Sequence, residues 1–369
     1  GEIGEDDGAD EVGGLDLLEL TNSILSGAYL STQTHDSFWQ TNTVDSDNER
    51  ANRGEINRIR GNNSDIFRST IETVRPFDAQ LIHGFFDASV LVVTQDLDLF
   101  RAAGYRNTSV EGTDLEFRQA AILVQQNLGR IETFDLSGDF SDILIDVVGS
   151  VQGSISGNDF RRVDLDVDNE VASIIASGDV VGSSPVTGAV QSFAIAGSLR
   201  ASEVIVSGPL ELLTVGGEIL NTAIDVTGSE GRIDRITVTS DISGTITSSG
   251  PIGLIETTVG DLGGVIRTTR PTATVGTLSA ARDLTASTDL AAGVSTIVAG
   301  RHVGSQGEPA LIVVRGALTE FNAVGQLYSD VVVGSTIERV VLGAVSNLPG
   351  QDLVGRGSIS AGGRIEEVS

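Results

Sequence analysis

Residues 233–242, with the sequence IDRITVTSDI, contain a motif that recurs from Gly129 to the end of the chain. The motif is an apolar residue, two variable residues, an apolar residue, one variable residue and an apolar residue. A Gly or Ser follows two positions later, and a last apolar residue stands two positions after that. Residues 131–140, 190–199 and 210–219 fit the same motif, and 275–284 fits it with Arg in place of the Gly or Ser.

The spacing of the motif predicts the architecture. Its first residue recurs in steps of 19 to 24 residues, apart from two steps of 40 and 42 that contain weaker copies near Val151 and Ile252. A period of about 20–24 residues is typical of solenoids. Each turn of a solenoid buries its apolar side chains only against its neighbours, so we expect the turns to stack.

A second motif follows the first in several turns and identifies the secondary structure. It alternates apolar and variable residues and ends on Gly, as at 145–149, 204–208, 224–228 and 312–316, with a weaker copy at 246–250. Alternation with a period of two predicts strands with one buried face. We therefore predict an all-β fold, a parallel β-solenoid with about 19–24 residues per turn. A leucine-rich repeat has a similar period, but here the characteristic Asn is missing and the second half of each turn favours strand over helix.

Composition and the repeat pattern divide the chain into three parts. Residues 1–13 carry six acidic residues and no basic residue, which predicts a flexible acidic tail. Residues 14–128 contain most of the aromatic residues and only fragments of the motif. We interpret them as an N-terminal cap or as an irregular start of the solenoid with extended first turns. Residues 129–369 form the regular solenoid.

The composition excludes several classes of function. The net charge is −28, and all 23 basic residues are Arg because the chain has no Lys. This balance argues against nucleic acid and anionic membranes as partners. Without Lys or Cys there is no Walker A lysine, Schiff-base lysine, disulfide or thiolate metal site. No stretch approaches the roughly 18 apolar residues of a membrane span.

Three carboxylates on one strand are the first candidate site. Asp164, Asp166 and Asp168 alternate with apolar residues, which places them in a row on the outer face. They could bind calcium or act as the acid pair of a sugar cleft. The structural alternative is a solvated acidic surface paired with Arg161 and Arg162, and we favour that alternative.

Further acidic residues form a second group of candidates. A loop rich in Asp and Asn presents Asp45, Asp47 and Glu49, which suggests either a calcium loop or a surface turn. Four more carboxylates could meet across a turn, although the sequence alone does not place them: Asp135, Asp139, Asp142 and Asp146.

One stretch of the repeat suggests a family. The run GRIDRITVTSDISGTI at 231–246 resembles the repeats of large secreted bacterial β-solenoid proteins of the surface, adhesin and fibre type. The resemblance covers about residues 129–369 and lies in the repeat pattern, so it transfers no functional residue. It implies an extracellular or cell-surface location, with a secretion leader removed, and a structural or adhesive role.

The expected function follows from the repeat and from the ends of the chain. Residues 363–369 restart the motif, so we expect Ile365 and Val368 to form an assembly surface that meets the region of Phe38 and Trp39 in the next copy. We therefore expect a non-enzymatic structural subunit that assembles head to tail into a fibre, sheath or surface layer.

Two alternatives remain open at this point. One is an adhesin or carbohydrate-binding module that recognises cell-surface polysaccharide, for which the solenoid offers the aromatic residues Phe193, Phe321 and Tyr328. The other is a polysaccharide-degrading enzyme that uses paired carboxylates such as Asp164 and Asp166.

Overall fold

The chain is a parallel β-solenoid, as predicted. A computed structural model describes residues 18–21, 24–26, 29–31, 58–62, 64–67, 69–73, 77–106, 120–305, 310–343 and 357–369. In these residues the strands pair in parallel, turn upon turn, with about 20 residues per turn. The part of the chain that the structure describes has no α-helix, and its one helical element is the 3-10 turn Phe134–Leu136. The leucine-rich alternative is therefore wrong.

Each turn contributes to three walls, which we number in chain order. The first wall carries the ten-residue motif. Its strands are Leu18–Thr21, Arg58–Asn62, the first parts of Phe77–Asp87 and Leu97–Arg106, Leu128–Thr133, Val151–Gly157, the last parts of Asp164–Ala176 and Ser184–Ile195, Leu210–Val215, Ile233–Val238, Ile252–Thr257, Val275–Ala280, Val294–Ala299, Leu318–Ala323, Ile337–Leu342 and Ile365–Val368.

The second wall is narrow and holds the last apolar residue of the motif. Its members are Ile24–Ser26, Asp65–Phe67, the ends of Phe77–Asp87 and Leu97–Arg106, Phe140–Ser141, Phe160–Arg161, Val180–Val181, Leu199–Arg200 and the starts of Ile219–Val226 and Ile242–Ser248. It continues as single-residue bridges at Leu262, Leu284, Val303 and Leu327.

The third wall carries the second, alternating motif. Its strands are Tyr29–Ser31, Thr70–Thr73, Val90–Val93, Ala120–Val124, Ile143–Val147, the starts of Asp164–Ala176 and Ser184–Ile195, Glu203–Val206, the ends of Ile219–Val226 and Ile242–Ser248, Val265–Thr268, Ser287–Leu290, Leu311–Val314, Asp330–Val333 and Ile359–Ala361.

Burial explains why the first motif has two variable residues together. In Ile233–Val238 the first, fourth and sixth side chains are buried, whereas the second, third and fifth are not. Two successive residues thus face outward before the strict alternation of a strand resumes. The buried positions stack in register, so that Leu213, Ile236 and Ile255 lie one above the other. One continuous core therefore runs along the solenoid.

In one turn the first buried residue lies three positions earlier than the motif predicted. The motif placed Ile131 at the first buried position, but the register pairs Leu128 with Val151 and Ile131 with Ile155. Leu128 is therefore the first buried residue of this turn. The extra residues form the 3-10 turn Phe134–Leu136 before the chain reaches the second wall. Apolar residues inside that insertion imitate the motif, which caused the error.

Several aromatic residues from Phe86 to Phe160 lie inside the solenoid. Phe86, Tyr105, Phe140 and Phe160 follow one another along the second wall, and the rings of Tyr105 and Phe140 stack with centroids 4.5 Å apart. The strands described before residue 129 pair with the regular turns in the same parallel pattern. Phe86 and Tyr105, which precede residue 129, are therefore buried in the same core as the regular turns. The N-terminal cap and the extended first turns both stay predictions.

Hydroxyl groups satisfy the backbone at the corner between the second and third walls. The hydroxyl oxygen of Ser183 accepts the N–H of Val163, that of Ser202 accepts the N–H of Ser183, and that of Thr222 accepts the N–H of Ser202. All three hydroxyl residues are buried. Because buried N–H groups need an acceptor, these bonds fasten each corner to the next turn.

Candidate functional site

A polar column follows the corner between the first and second walls. It has one residue per turn, directly before the buried residue of the second wall, and we call it the corner column. Its members are Asp139, Asp159, Asp179, Ser198, Glu218, Asp241, Asp261, Asp283, His302 and Gln326. Six of these ten positions carry Asp, so the column is an acidic feature that recurs from turn to turn.

Members of the corner column bond to one another through side chain and backbone. Each of several side chains accepts the backbone N–H of the member one turn further on: Oδ1 of Asp139 from Asp159 (3.2 Å), Oδ1 of Asp159 from Asp179 (2.8 Å), Oδ1 of Asp179 from Ser198 (2.7 Å) and Oγ of Ser198 from Glu218 (3.3 Å). A second run joins Asp241 to Asp261 (2.7 Å), Asp261 to Asp283 (3.0 Å), Asp283 to His302 (3.0 Å) and His302 to Gln326 (2.8 Å).

The physical need for an acceptor explains the choice of residues. The chain changes direction at this corner, and the carbonyl of each member accepts the N–H of the preceding second-wall residue, as Glu218 does for Leu199. The N–H of the member itself then needs a partner, and a short side chain from the turn before supplies it. Asp and Ser have the right length and an oxygen acceptor, as in helix caps and Asx turns.

Arginines neutralise part of the charge on the column. Arg301 donates to both carboxylate oxygens of Asp283, and Arg282 lies 3.5 Å from the carboxylate of Asp261. The hydrogen bond from Arg301 holds the pKa of Asp283 below its ordinary value, with a further contribution from the backbone N–H of His302. Asp283 thus acts as a structural group in its ionised form.

Asp283 supplies a test of this role by pH. Because the pKa of Asp283 is lower in the folded state than its ordinary value of 3.8, its stabilising effect is complete above that value and is lost as the pH falls through the lower pKa. We expect Asp283→Asn to lower the urea midpoint at pH 7, and the difference from the original protein to shrink as the pH falls below 3.8. Asp283→Ala, which also removes the acceptor for His302, should cost about 1 kcal/mol more. A difference that stays constant between pH 7 and pH 3 would show that the charge plays no part.

The three predicted carboxylates lie in the third wall. Asp164, Asp166 and Asp168 are exposed and alternate with buried residues, as the sequence predicted. Asp166 lies opposite Asp146 of the turn before. Partial burial raises the pKa of Asp146, and the negative charges of Asp166 and Asp168 raise it further. Asp146, Asp166 and Asp168 therefore bring negative charge close together on this part of the wall.

The expected arginine partners of this patch lie elsewhere. The sequence suggested that Arg161 and Arg162 pair with the carboxylates of the patch. Instead, Arg161 pairs with Asp159 of the corner column, and Arg162 donates to both oxygens of Asp142. That hydrogen bond lowers the pKa of Asp142. Arg161 ends the second-wall strand and Arg162 follows it at the corner, so both side chains lie close to the carboxylates of the adjacent corners.

The other predicted acidic groups do not converge. Asp139 lies in the corner column, Asp142 at the opposite corner of the second wall and Asp146 in the third wall. In the described ranges, no three His, Asp or Glu residues are grouped so that they could hold one metal ion. Calcium binding by Asp164, Asp166 and Asp168 stays a prediction.

Several predicted site residues lie outside the described part of the chain. These are Phe38 and Trp39 of the assembly surface and Asp45, Asp47 and Glu49 of the acidic loop.

The two predicted assembly residues at the other end are described and exposed. Ile365 is 38% exposed and Val368 is 67% exposed, whereas Ile337 and Val340, in the same register one turn earlier, are 0% and 1% exposed. Strand Ile365–Val368 covers that earlier turn. Its own apolar side chains therefore form a surface that a further turn would bury.

Two aromatic residues considered for carbohydrate stacking are in the core. Phe193 is 2% exposed and Phe321 is 0% exposed, so neither can stack on a sugar. A small apolar cavity of about 20 Å³ lies beside Phe193, between Phe160 and Pro185. A cavity of this size has room for about one water molecule. It is a packing defect of the core rather than a ligand pocket.

Sequence reasoning missed the corner column, although a signal was present. The residue before the last apolar position of the motif was treated as variable, as in Gly178-Asp179-Val180 and Gly260-Asp261-Leu262. Alignment of the copies on that apolar residue shows an Asp, Ser, Glu, His or Gln in each. The position is therefore constrained to a hydrogen-bond acceptor, which a search for apolar periodicity does not detect.

The fold and its sites define the chain as a parallel β-solenoid. No family model, no curated protein and no solved structure matches it. Within the described residues, no helix has the length and apolarity of a membrane span.

Proposed function

We propose that this chain is an extracellular structural protein, a rigid rod-like subunit whose copies join end to end in a fibre, sheath or surface layer. The observation that carries the proposal is the continuity of the stack. Parallel pairing links each first-wall strand to the next from Leu18–Thr21 to Ile365–Val368, over a single core. A solenoid stiffened in this way spans distance, and its repeats propagate one surface along an axis.

The corner bonds support a mechanical role. A force along the solenoid axis must break the backbone hydrogen bonds between the strands of the three walls. It must also break the side-chain bonds of the corner column and the Ser and Thr bonds at the corner between the second and third walls. The turns that carry these bonds are fastened to their neighbours at the corners as well as along the strands.

The exposed edge of Ile365–Val368 is the surface through which we expect a copy to join. A strand that is paired on one side presents unpaired N–H and C=O groups to a further parallel strand. The exposed Ile365 and Val368 add an apolar contact. We propose that a first turn of another copy covers this edge, which is a heterologous contact that propagates along the rod axis.

Electron microscopy and light scattering test the proposal. We expect the full chain at high concentration, with or without calcium, to form filaments or sheets built from rods in which the turns are spaced about 4.8 Å apart. Val368→Asp should shift the distribution to monomers, because it places a charge in the proposed contact while the side chain stays exposed in the monomer. A chain that remains monomeric under all these conditions contradicts the proposal.

A matched control separates the contact from an effect of charge. Ser295→Asp adds the same charge at an exposed position of the first wall, away from the edge. It should assemble like the original protein, and equal loss in both variants would point to general repulsion. The adhesin and the polysaccharide-degrading alternatives stay predictions of the sequence.

A further inference from the structure

We propose that His302 makes one contact between adjacent turns sensitive to pH: protonation of its imidazole releases the backbone amide of Gln326 and loosens the stack at that corner. The proposal concerns the folded monomer, so it stands apart from the proposed assembly.

The geometry fixes the protonation state that makes the contact. The backbone N–H of Gln326 donates to Nδ1 of His302 over 2.8 Å. A neutral imidazole accepts at one nitrogen and carries its proton at the other, here Nε2. An imidazolium has a proton on both nitrogens and accepts no hydrogen bond. Protonation therefore turns the acceptor into a second donor that faces the amide.

His302 differs from the other members of the corner column in the pH range over which its residue type changes charge. Free carboxylates titrate near pH 4 and free imidazole near pH 6.5, whereas Ser and Gln do not titrate in this range. Among the described members of the column, His302 alone belongs to a residue type that changes charge between about pH 5 and pH 8. Protonation of an imidazole therefore acts on this contact alone among those of the corner column.

The charged groups around the ring do not replace the lost contact. In the turn before, Asp283 accepts the backbone N–H of His302 at 3.0 Å, and both of its oxygens also bind Arg301. The carboxylate attracts an imidazolium and the adjacent guanidinium repels it, so the two effects offset each other. In the turn after, the ring of Tyr328 lies edge-on with its centroid 5.8 Å away, and its hydroxyl donates to Oε1 of Gln326.

Hydrogen exchange at the amide of Gln326 tests the proposal in the full chain. Protection factors, corrected for the intrinsic effect of pH, should fall about tenfold between pH 8 and pH 5.5, the value expected for the loss of one hydrogen bond. In His302→Asp the acceptor is a carboxylate, as in six members of the column, and protection should stay constant over this range. Equal pH dependence in the original protein and in His302→Asp overturns the proposal.

Two further measurements keep the test decisive. Asp261→His places an imidazole at the equivalent position two turns earlier, where Asp283 donates its N–H. It should create a second amide, that of Asp283, whose protection falls between pH 8 and pH 5.5. Nitrogen NMR of the imidazole in the unaltered protein at pH 8 should show an unprotonated Nδ1. A proton on Nδ1 would overturn the proposal without any variant.

Discussion

Ile236→Asp should break the stack in the middle of the solenoid. Ile236 is fully buried between Leu213 and Ile255 of the neighbouring turns. The change removes an apolar side chain worth roughly 1.5–3 kcal/mol and places a carboxylate where it has neither water nor a partner. We expect a loss of about 5 kcal/mol in the free energy of unfolding and local opening of these turns. Urea unfolding measures the loss, and trypsin cleavage after Arg235 reports where the opening occurs.

The control for this change depends on the structure. Strand alternation alone recommends Thr237→Asp as a mild outward substitution. However, the hydroxyl of Thr237 donates to Glu256 over 2.9 Å, so an Asp there would face another carboxylate. Thr214→Asp is a better control because Thr214 is exposed and pairs with Thr237 and Ala194. It should change stability by less than about 0.5 kcal/mol. Equal losses for Ile236→Asp and Thr214→Asp would mean that the strand register is wrong.

Gly228→Ala should destabilise the protein strongly, and Gly182→Ala only mildly. Both glycines have a positive φ, +84° and +61°. A Cβ at Gly228 would lie 1.9 Å from the carbonyl oxygen of Ser207, so the backbone of one turn must move. At Gly182 the nearest atom is 3.6 Å away in the side chain of Arg162. We expect losses of about 3–5 kcal/mol for Gly228→Ala and about 1 kcal/mol for Gly182→Ala, measured by chemical unfolding.

The neighbours of Gly182 explain why its substitution is tolerated. Arg162 and Ala201, at the same corner one turn before and one turn after, adopt φ values of +52° and +48° with a Cβ present. The corner itself therefore accepts a side chain at the cost of the left-handed backbone alone. Similar losses for Gly182→Ala and Gly228→Ala would show that strain in φ dominates and that the close approach to Ser207 relaxes without cost.

The candidate site was only partly predictable. Asp164, Asp166 and Asp168 face outward as their alternation with apolar residues predicted. Their charge environment was not predictable, because Asp146 comes from the turn before and the expected partners Arg161 and Arg162 bind carboxylates at the corners. Such contacts join residues about 20 positions apart, and the exact length of each intervening turn decides which side chains meet.

The sequence by itself determined the architecture of this protein: a parallel β-solenoid, its approximate period, and most of the buried positions of the first and third walls. The physical reason is that apolar periodicity follows directly from burial in a repeated turn. The tertiary structure decided the rest. It corrected the register of the turn that begins at Leu128, and it showed that Asp179 and His302 are acceptors for amides of the next turn. These features depend on where the backbone bends and leaves an N–H without a partner, which hydrophobicity does not encode.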